Sequence, residues 1–485
     1  MPSFSRPTRT PSPKLLISTL ALCGIVVSLM QTLIIPLIPE LPKLLGASAA
    51  DASWAITATL LAGAIVTPIG GRLGDMFGKR RILLLSLLAM VIGSVLCALS
   101  DSLAIVVAGR ALQGLAMGAI PLGISIMRDE LPPNKVGPAI ATMSATMGVG
   151  GAIGLPLAAF VAQTSSWHTL FWAAGALGLA CAVLVWFVLE ESAVKSPGRF
   201  DAVGAMGLTA GLLALLVPVT KGSSWGWDDP LTIGLFVASG LILLAWGSYE
   251  LRIKAPLVDL RVSARPRVLF TNLASVMVGF AMYGTSLIFP QLLMAPAATG
   301  YGLDLSMLEA GLALAPGGLV MMALSPVSAR LSARRGPKVT LMCGAAIIGA
   351  GYVVALAFNT EVWQLILSSM VISAGVGLAF AAMPALIMGA VPITETGAAN
   401  GLNSLMRAIG TSTSAAVMSV VLASMTLQLG PVSLPTMEAF RITFAIAIGA
   451  SVLAAVLAAV IPVKGGAPTS RSTTPVPVSS GVSSL

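Results

Sequence analysis

The side chains able to do chemistry in this chain are few, and they fall into small groups. The densest is Gly71-Arg72-Leu73-Gly74-Asp75-Met76-Phe77-Gly78-Lys79-Arg80-Arg81, one carboxylate among four bases and three glycines. It looks superficially like a phosphate loop. The spacing is one residue short, however, and Arg80 stands where Ser or Thr would bind magnesium, so ATP-driven chemistry is unsupported. Arg110 and Gln113 lie three residues apart inside an apolar run, and Asn403 and Arg407 lie four apart inside another. Those spacings put each pair on one face of a helix. A charge within a membrane helix is costly unless it faces a polar interior, which makes both arginines functional candidates. The single histidine, His168, and the absence of H-E-x-x-H leave no histidine-built metal, haem or zinc-protease site. Cys23, Cys97, Cys181 and Cys343 sit in apolar runs, where packing between helices is expected in place of disulfides or metal. No metal and no cofactor is expected.

The elements that carry these groups follow from composition. Of 485 residues, 56% are hydrophobic and 9% charged, and the mean hydropathy is +0.96. Soluble chains carry about a quarter charged residues, so a water-soluble domain, a nucleic-acid binder and a disordered protein are excluded. Apolar runs of about 20 residues cross a bilayer as helices, whereas outer-membrane strands alternate over about 10. The fold class is therefore an all-α polytopic membrane protein. Fourteen spans are predicted, with cores near 15–37, 53–70, 82–99, 103–127, 138–162, 169–189, 202–220, 231–249, 269–294, 307–329, 339–357, 363–384, 398–427 and 440–462.

An even count puts both termini on one side, and positive charge sets which side. With the N-terminus in the cytoplasm, 22 of the 27 bases are cytoplasmic; Lys43, Lys221 and Arg441 lie outside, and Arg110 and Arg407 within spans. The 18 acids divide nine and nine, as expected of a rule that ignores them. Residues 1–14 read as a cytoplasmic segment followed by a retained first helix. Residues 464–485, rich in Ser, Thr, Pro and Gly, read as a disordered cytoplasmic tail.

A repeat supports two halves. With Leu73 laid on Leu331, Gly78 falls on Gly336 and Arg80 on Lys338, each in a short basic loop after the second helix of a group. Two six-helix bundles result, 15–189 and 267–463, with an inserted helix pair at 202–250. Internal repeats place a transporter's substrate site at mid-membrane between the halves.

The first loop closely resembles motif A of the major facilitator superfamily, G-x-L-x-D-x-x-G-R/K-R/K. Arg110-Ala111-Leu112-Gln113-Gly114 resembles the superfamily's R-x-x-Q-G motif. Gly148 to Pro156 is similar to the Gly/Pro antiporter motif of drug exporters, with Leu155 before the proline and Ala158-Ala159 in place of the usual glycines. Asn403 to Gly410 resembles a segment of helix 13 in the fourteen-helix drug:proton antiporter branch. The resemblance runs from about residue 15 to 463.

That resemblance implies an alternating-access exporter of small hydrophobic or amphipathic molecules, a drug or natural product. It would sit in the cytoplasmic membrane, confer antibiotic resistance and work in exchange for protons. Gly71, Asp75, Gly78, Lys79 and Arg80 would form a gating loop, Asp75 pairing with a base or capping a neighbouring helix N-terminus. Gln31, Arg110, Gln113, Asn403 and Arg407 would line the cavity or tune coupling, and Gly150, Gly154 and Pro156 would form a packing hinge. In this branch the first helix often carries an acid in L-D-x-T; here Leu29-Met30-Gln31-Thr32 puts Met30 at that place. Glu40 and Glu309, with Asp75, remain as candidate proton carriers. With arginines and no central acid, a neutral or acidic amphiphile suits the chain at least as well as a lipophilic cation. The alternative is an uncoupled uniporter of a hydrophobic metabolite or lipid. A membrane enzyme would need clustered acids or metal ligands, and none is seen. The expected partners are the substrate and membrane lipids, with no nucleic acid, around a monomer.

Overall fold

The computed structural model describes residues 12–462, apart from 35, 36, 38, 39, 197, 430 and 431. Most of the segment 1–14 and the tail 464–485 thus lie outside the described residues. Fourteen helices are long and apolar enough to cross a membrane. They are α1 (Pro13–Thr32), α2 (Trp54–Phe77), α3 (Lys79–Leu99), α4 (Leu103–Glu130), α5 (Pro133–Thr164), α6 (His168–Val188) and α7 (Ala202–Trp225). Then follow α8 (Pro230–Glu250), α9 (Pro266–Met294), α10 (Met307–Arg335), α11 (Pro337–Ala357), α12 (Val362–Met388), α13 (Thr396–Ser424) and α14 (Met437–Val460). The count and order agree with the fourteen predicted spans.

Local chemistry sets the helix starts. Proline, whose missing amide hydrogen costs nothing in the first turn, opens α1, α5, α8, α9 and α11. Side chains cap others: Asp201 accepts the Gly204 amide of α7, Thr436 the Ala439 amide of α14. Ser306 and Glu309 form a reciprocal box on α10.

Two boundaries differ from expectation. The motif at 71–81 is not a loop: α2 continues through Asp75 to Phe77, and Gly78 at φ 116° turns directly into α3. The second half repeats the arrangement, with α10 running to Arg335 and Gly336 at φ 86°. Only glycine adopts that φ without strain, so one residue suffices for the reversal. Span 13 also ends early. After Ser424 the chain forms a hairpin, β1 (Thr426–Leu429) antiparallel to β2 (Val432–Pro435), ahead of α14.

Among the described residues, three large apolar clusters organise the packing, beside a small fourth around Val268 and Ile387. One joins α1, α3, α4, α5 and α6 through Leu20, Leu87, Ile124, Met143 and Phe171. A second joins α9 to α14, where Phe289 meets Phe444 and Tyr352 edge-on at 5.9 and 6.4 Å. The third joins Leu61 and Ala64 of α2 and Leu405 of α13 to Ala205, Leu208, Leu212 and Leu216 of α7. The inserted pair therefore lies across the junction of the halves. Its outer helix α8 packs on α7 and leaves Leu231, Val237, Leu241 and Leu244 exposed. Apolar burial cannot distinguish lipid from protein within a bilayer, so close backbone approach takes its place. That approach is seen between α2 and α13: a Cβ on Gly71 would lie 2.2 Å from the Gly397 carbonyl oxygen, and one on Gly401 2.2 Å from that of Thr67.

Candidate functional site

At the end of the molecule that carries the basic turns, the motif residues close a clasp between the halves. Asp75, fully buried, accepts the amide hydrogens of Gly397 (3.0 Å) and Ala398 (2.8 Å) in the first turn of α13. A carboxylate at a helix start meets unpaired amides and the positive end of the helix dipole. The Lys79 ammonium stands 3.5 Å from Asp75 and 2.6 Å from Asp129 of α4, and donates to the Thr396 hydroxyl at 3.1 Å. Thus Asp75 has both partners that its surroundings in sequence allow, a base and a helix N-terminus.

A second layer holds the clasp in place. Glu191, after α6, accepts the Arg80 and Arg81 amides at 3.1 and 3.2 Å and so caps α3. A Cβ on Gly78 would strike the Glu191 carboxyl at 2.4 Å, so that glycine is needed for space as well as for its φ. Arg80 stacks on Trp186 at 5.0 Å. Ser192 donates to Asp129 at 2.8 Å, and Arg72 to Ser196 at 3.1 Å. Glu191, Asp129 and Thr396 are participants that the sequence alone does not single out. Their one signal is that acids end α4 and follow α6 beside the basic turn.

A narrow cavity of about 10 Å³ lies between the halves, lined by Ile120, Ser144 and Met147 on one side and Phe380, Asn403 and Arg407 on the other. Ser144 donates across the junction to the Phe380 carbonyl at 3.0 Å. Arg407 lies about 16 Å along α13, at 1.5 Å per residue, with its guanidinium 4.6 Å over the Phe380 ring. Among the described residues no carboxylate forms an ion pair with it. Asn403 donates to Asn272 and Ser275 of α9 at 2.9 and 2.7 Å. Asn400, also at the cavity, keeps a buried carbonyl oxygen without a partner.

Arg110 and Gln113 stand elsewhere. Arg110 is 1% exposed and points into the N-terminal bundle. It donates to Ala55 O at 3.0 Å, Gln113 Oε1 at 2.8 Å and Met30 O at 3.4 Å, and Gln113 donates to Ser94 at 2.8 Å. Met30 O is an unpaired carbonyl of the last turn of α1, the negative end of that helix. The pair is a knot joining four helices and does not line the central cavity. The reason is local: the backbone acceptors of α1 and α2 are nearer than the cavity.

The remaining candidates also separate. Gln31 is half-buried near the end of α1. Gly150 and Gly154 of α5 face Ser28 and Thr32 of α1 within their own bundle, so this face is not the junction of the halves. That junction falls on Gly148, which meets Met321, and on Gly318 of α10, which meets the Gly148 carbonyl. Pro156 lies inside α5, which continues past it. Glu40 is exposed before a short helix, Leu41–Leu44. Glu309 is exposed, its carboxylate accepting the Ser306 amide at 2.8 Å as half of a cap.

Comparison with known proteins follows the same lines. An uncharacterized MFS-type transporter of Mycobacterium tuberculosis is 27% identical over 414 residues, 84% of this chain and 59% of that one. The chain thus matches under two thirds of that relative's length. The tetracenomycin C resistance and export protein of Streptomyces glaucescens is 28% identical over 419 residues, 85% of this chain and 76% of that one. The crystal structure of the human organic anion transporter MFSD10 (TETRAN) superimposes with a TM-score of 0.66 at 16% identity, covering 92% of this chain and all of that one. The Major Facilitator Superfamily model matches residues 20–415 and again 271–481. With fourteen membrane helices in two bundles and a clasp built on its motif residues, this chain belongs to the Major Facilitator Superfamily.

Proposed function

We propose that the chain exports small hydrophobic or amphipathic molecules, drugs or natural products, across the cytoplasmic membrane by alternating access in exchange for protons. The observation that carries this reading is a narrow cavity of mixed apolar and polar lining, contributed by both halves, behind a clasp whose partners also come from both halves. Breaking Asp75 from α13 frees one end of the junction, and re-forming it closes that end. The excess of bases there supports its assignment to the cytoplasm, with both termini. Residues 15–189 and 267–463 act as the two rocking units, and 202–250 rides on their junction.

The tetracenomycin C resistance and export protein and the probable actinorhodin transporter of Streptomyces coelicolor support natural products as cargo. An Arg407 that forms no ion pair among the described residues, and the absence of an acid from the cavity lining, favour neutral or acidic amphiphiles over lipophilic cations. The same absence favours a second reading, an uncoupled uniporter. Proteoliposomes given an imposed proton gradient separate the two. Gradient-driven accumulation of a neutral amphiphile such as N-phenyl-1-naphthylamine supports exchange, and flux indifferent to the gradient supports the uniporter.

A further inference from the structure

At the basic end of the inserted pair, two buried carboxyl groups meet without enough donors to satisfy them. Asp201 caps α7, and its Oδ1 accepts the Gly204 amide at 2.8 Å and the Tyr249 hydroxyl at 3.1 Å. Its Oδ2 has no hydrogen-bond partner. Glu250, the last residue of α8, is 2% exposed, and neither of its carboxyl oxygens has a partner. The two groups face each other over Gly204: a Cβ there would lie 2.1 Å from Asp201 Oδ2 and 2.4 Å from Glu250 Oε1. Replacing that glycine would wedge them apart.

The surroundings supply no cation. Asp201 is the charged group that faces Glu250, while the Leu257 and Val258 amides and the Trp246 indole lie nearby without closing a hydrogen bond. Toward α2 and α13, α7 packs through the apolar cluster of Leu61, Ala64 and Leu405. Arg72, Lys254 and Asp259 line an adjoining cavity of about 210 Å³ and form no ion pair with either carboxyl among the described residues. Arg199, two residues before Asp201, forms none either.

Two buried carboxylates side by side cannot both be ionised. The helices decide which one is. Asp201 stands at the positive start of α7 with two bonded donors, a setting for the anion; Glu250 stands at the negative end of α8 with no hydrogen bond closed by the N–H groups near it, a setting for the acid. We propose that Asp201 and Glu250 form a proton-binding site, in which the Glu250 carboxylic acid donates its hydrogen to Asp201 Oδ2. The proton exchanges with solvent through the adjoining cavity, whose wall includes Leu257 and Val258. Its loss sets two anions against each other beneath α7 and loosens the packing of α7 on α2 and α13, the helices that the Asp75 clasp joins. The site is separate from the substrate cavity and does not rest on the export reading.

Infrared difference spectroscopy across a pH series, on the full chain in lipid nanodiscs without substrate, reads the proton directly. The wild type is expected to show a protonated-carboxyl C=O band at neutral pH that Glu250→Gln removes. Asp201→Asn, which keeps a capping oxygen but removes the neighbouring charge, moves the loss of the band to lower pH. A wild type without the band, or a band unchanged in Glu250→Gln, overturns the proposal. Should Glu250→Gln fail to fold, an unchanged titration in Asp201→Asn overturns it equally. Thermal unfolding supplies a second readout. The folded chain holds a proton that the unfolded chain releases, so wild-type stability falls as pH rises above the ordinary glutamate range, by up to about tenfold in the unfolding constant per pH unit. In Glu250→Gln that slope disappears; a slope equal to the wild type's counts against the site.

Discussion

At the scale of single residues, the two intramembrane arginines have opposite fates. Arg110 has found partners for its guanidinium in Ala55, Met30 and Gln113, which tie three helices together. Arg110→Met should lower stability by about 2–3 kcal/mol, the cost of leaving buried acceptors without their donor, read as a drop in the detergent melting temperature. Arg407 rests on an aromatic ring at the cavity, so Arg407→Gln should leave the melting temperature near wild type while export of an anionic amphiphile falls more than that of its neutral analogue. Equal losses for the two cargoes would count against a recognition role. Asp75→Asn keeps the shape but loses the charge that two amides and Lys79 share. Export should fall by about tenfold or more, in line with the 1.5–3 kcal/mol of a charge-assisted hydrogen bond, with membrane expression unchanged. The residue types were legible in sequence for all three. Which arginine was already satisfied was not, because the acceptors of Arg110 are backbone carbonyls 55 and 80 residues away.

At the scale of elements, the α2–α13 seam is defined by what is missing from its side chains. Gly71, Gly397 and Gly401 each admit a carbonyl where a Cβ would stand under 3.0 Å from it, and such contacts have no give in backbone. Gly401→Val should therefore hold the basic end open. Spin-label distances between the basic ends of α2 and α13 would lengthen relative to wild type, and unchanged distances would refute the seam's role. Backbone conformation also sets a boundary that hydropathy misplaces. Hydropathy falls where Arg72 and Asp75 begin, but the helix ends only at Gly78, because backbone conformation and not polarity terminates it. The glycines of α5 were legible as packing residues. Their partner was not: Gly150 and Gly154 face α1, and only Gly148 reaches the other half.

At the scale of the whole molecule, the internal repeat is kept in geometry and broken in chemistry. Gly78 and Gly336 make the same one-residue turn, yet Ala333 occupies the position of Asp75, and it is exposed. The acid that closes the clasp is thus supplied by one half alone, and the other half supplies the helix start that it caps. The exposure of Ala333 also offers a test of orientation. Ala333→Cys should react with a membrane-impermeant maleimide in inside-out vesicles and not in intact cells, while Ser433→Cys, in the hairpin at the other end, should do the reverse. The native Cys23, Cys97 and Cys181 are buried and Cys343 half-buried, which keeps the background low. The opposite labelling pattern would invert the topology.

Chain composition and the order of apolar runs by themselves determined a membrane protein of fourteen helices, because hydrocarbon admits only helices and closed barrels, and continuous apolar runs of about 20 residues fit the helix and not the alternating strand. The placement of bases sets the expected sidedness of the loops, since that preference acts on each loop separately. Tertiary structure alone decided which charges meet: Asp75 with the start of α13, 322 residues away, Arg110 with the end of α1, and Asp201 with Glu250. For Asp75 and Arg110 those partners are backbone amides and carbonyls at helix ends, which every sequence possesses, and for Asp201 the partner is a side chain 49 residues away; only the packing of helices selects among them.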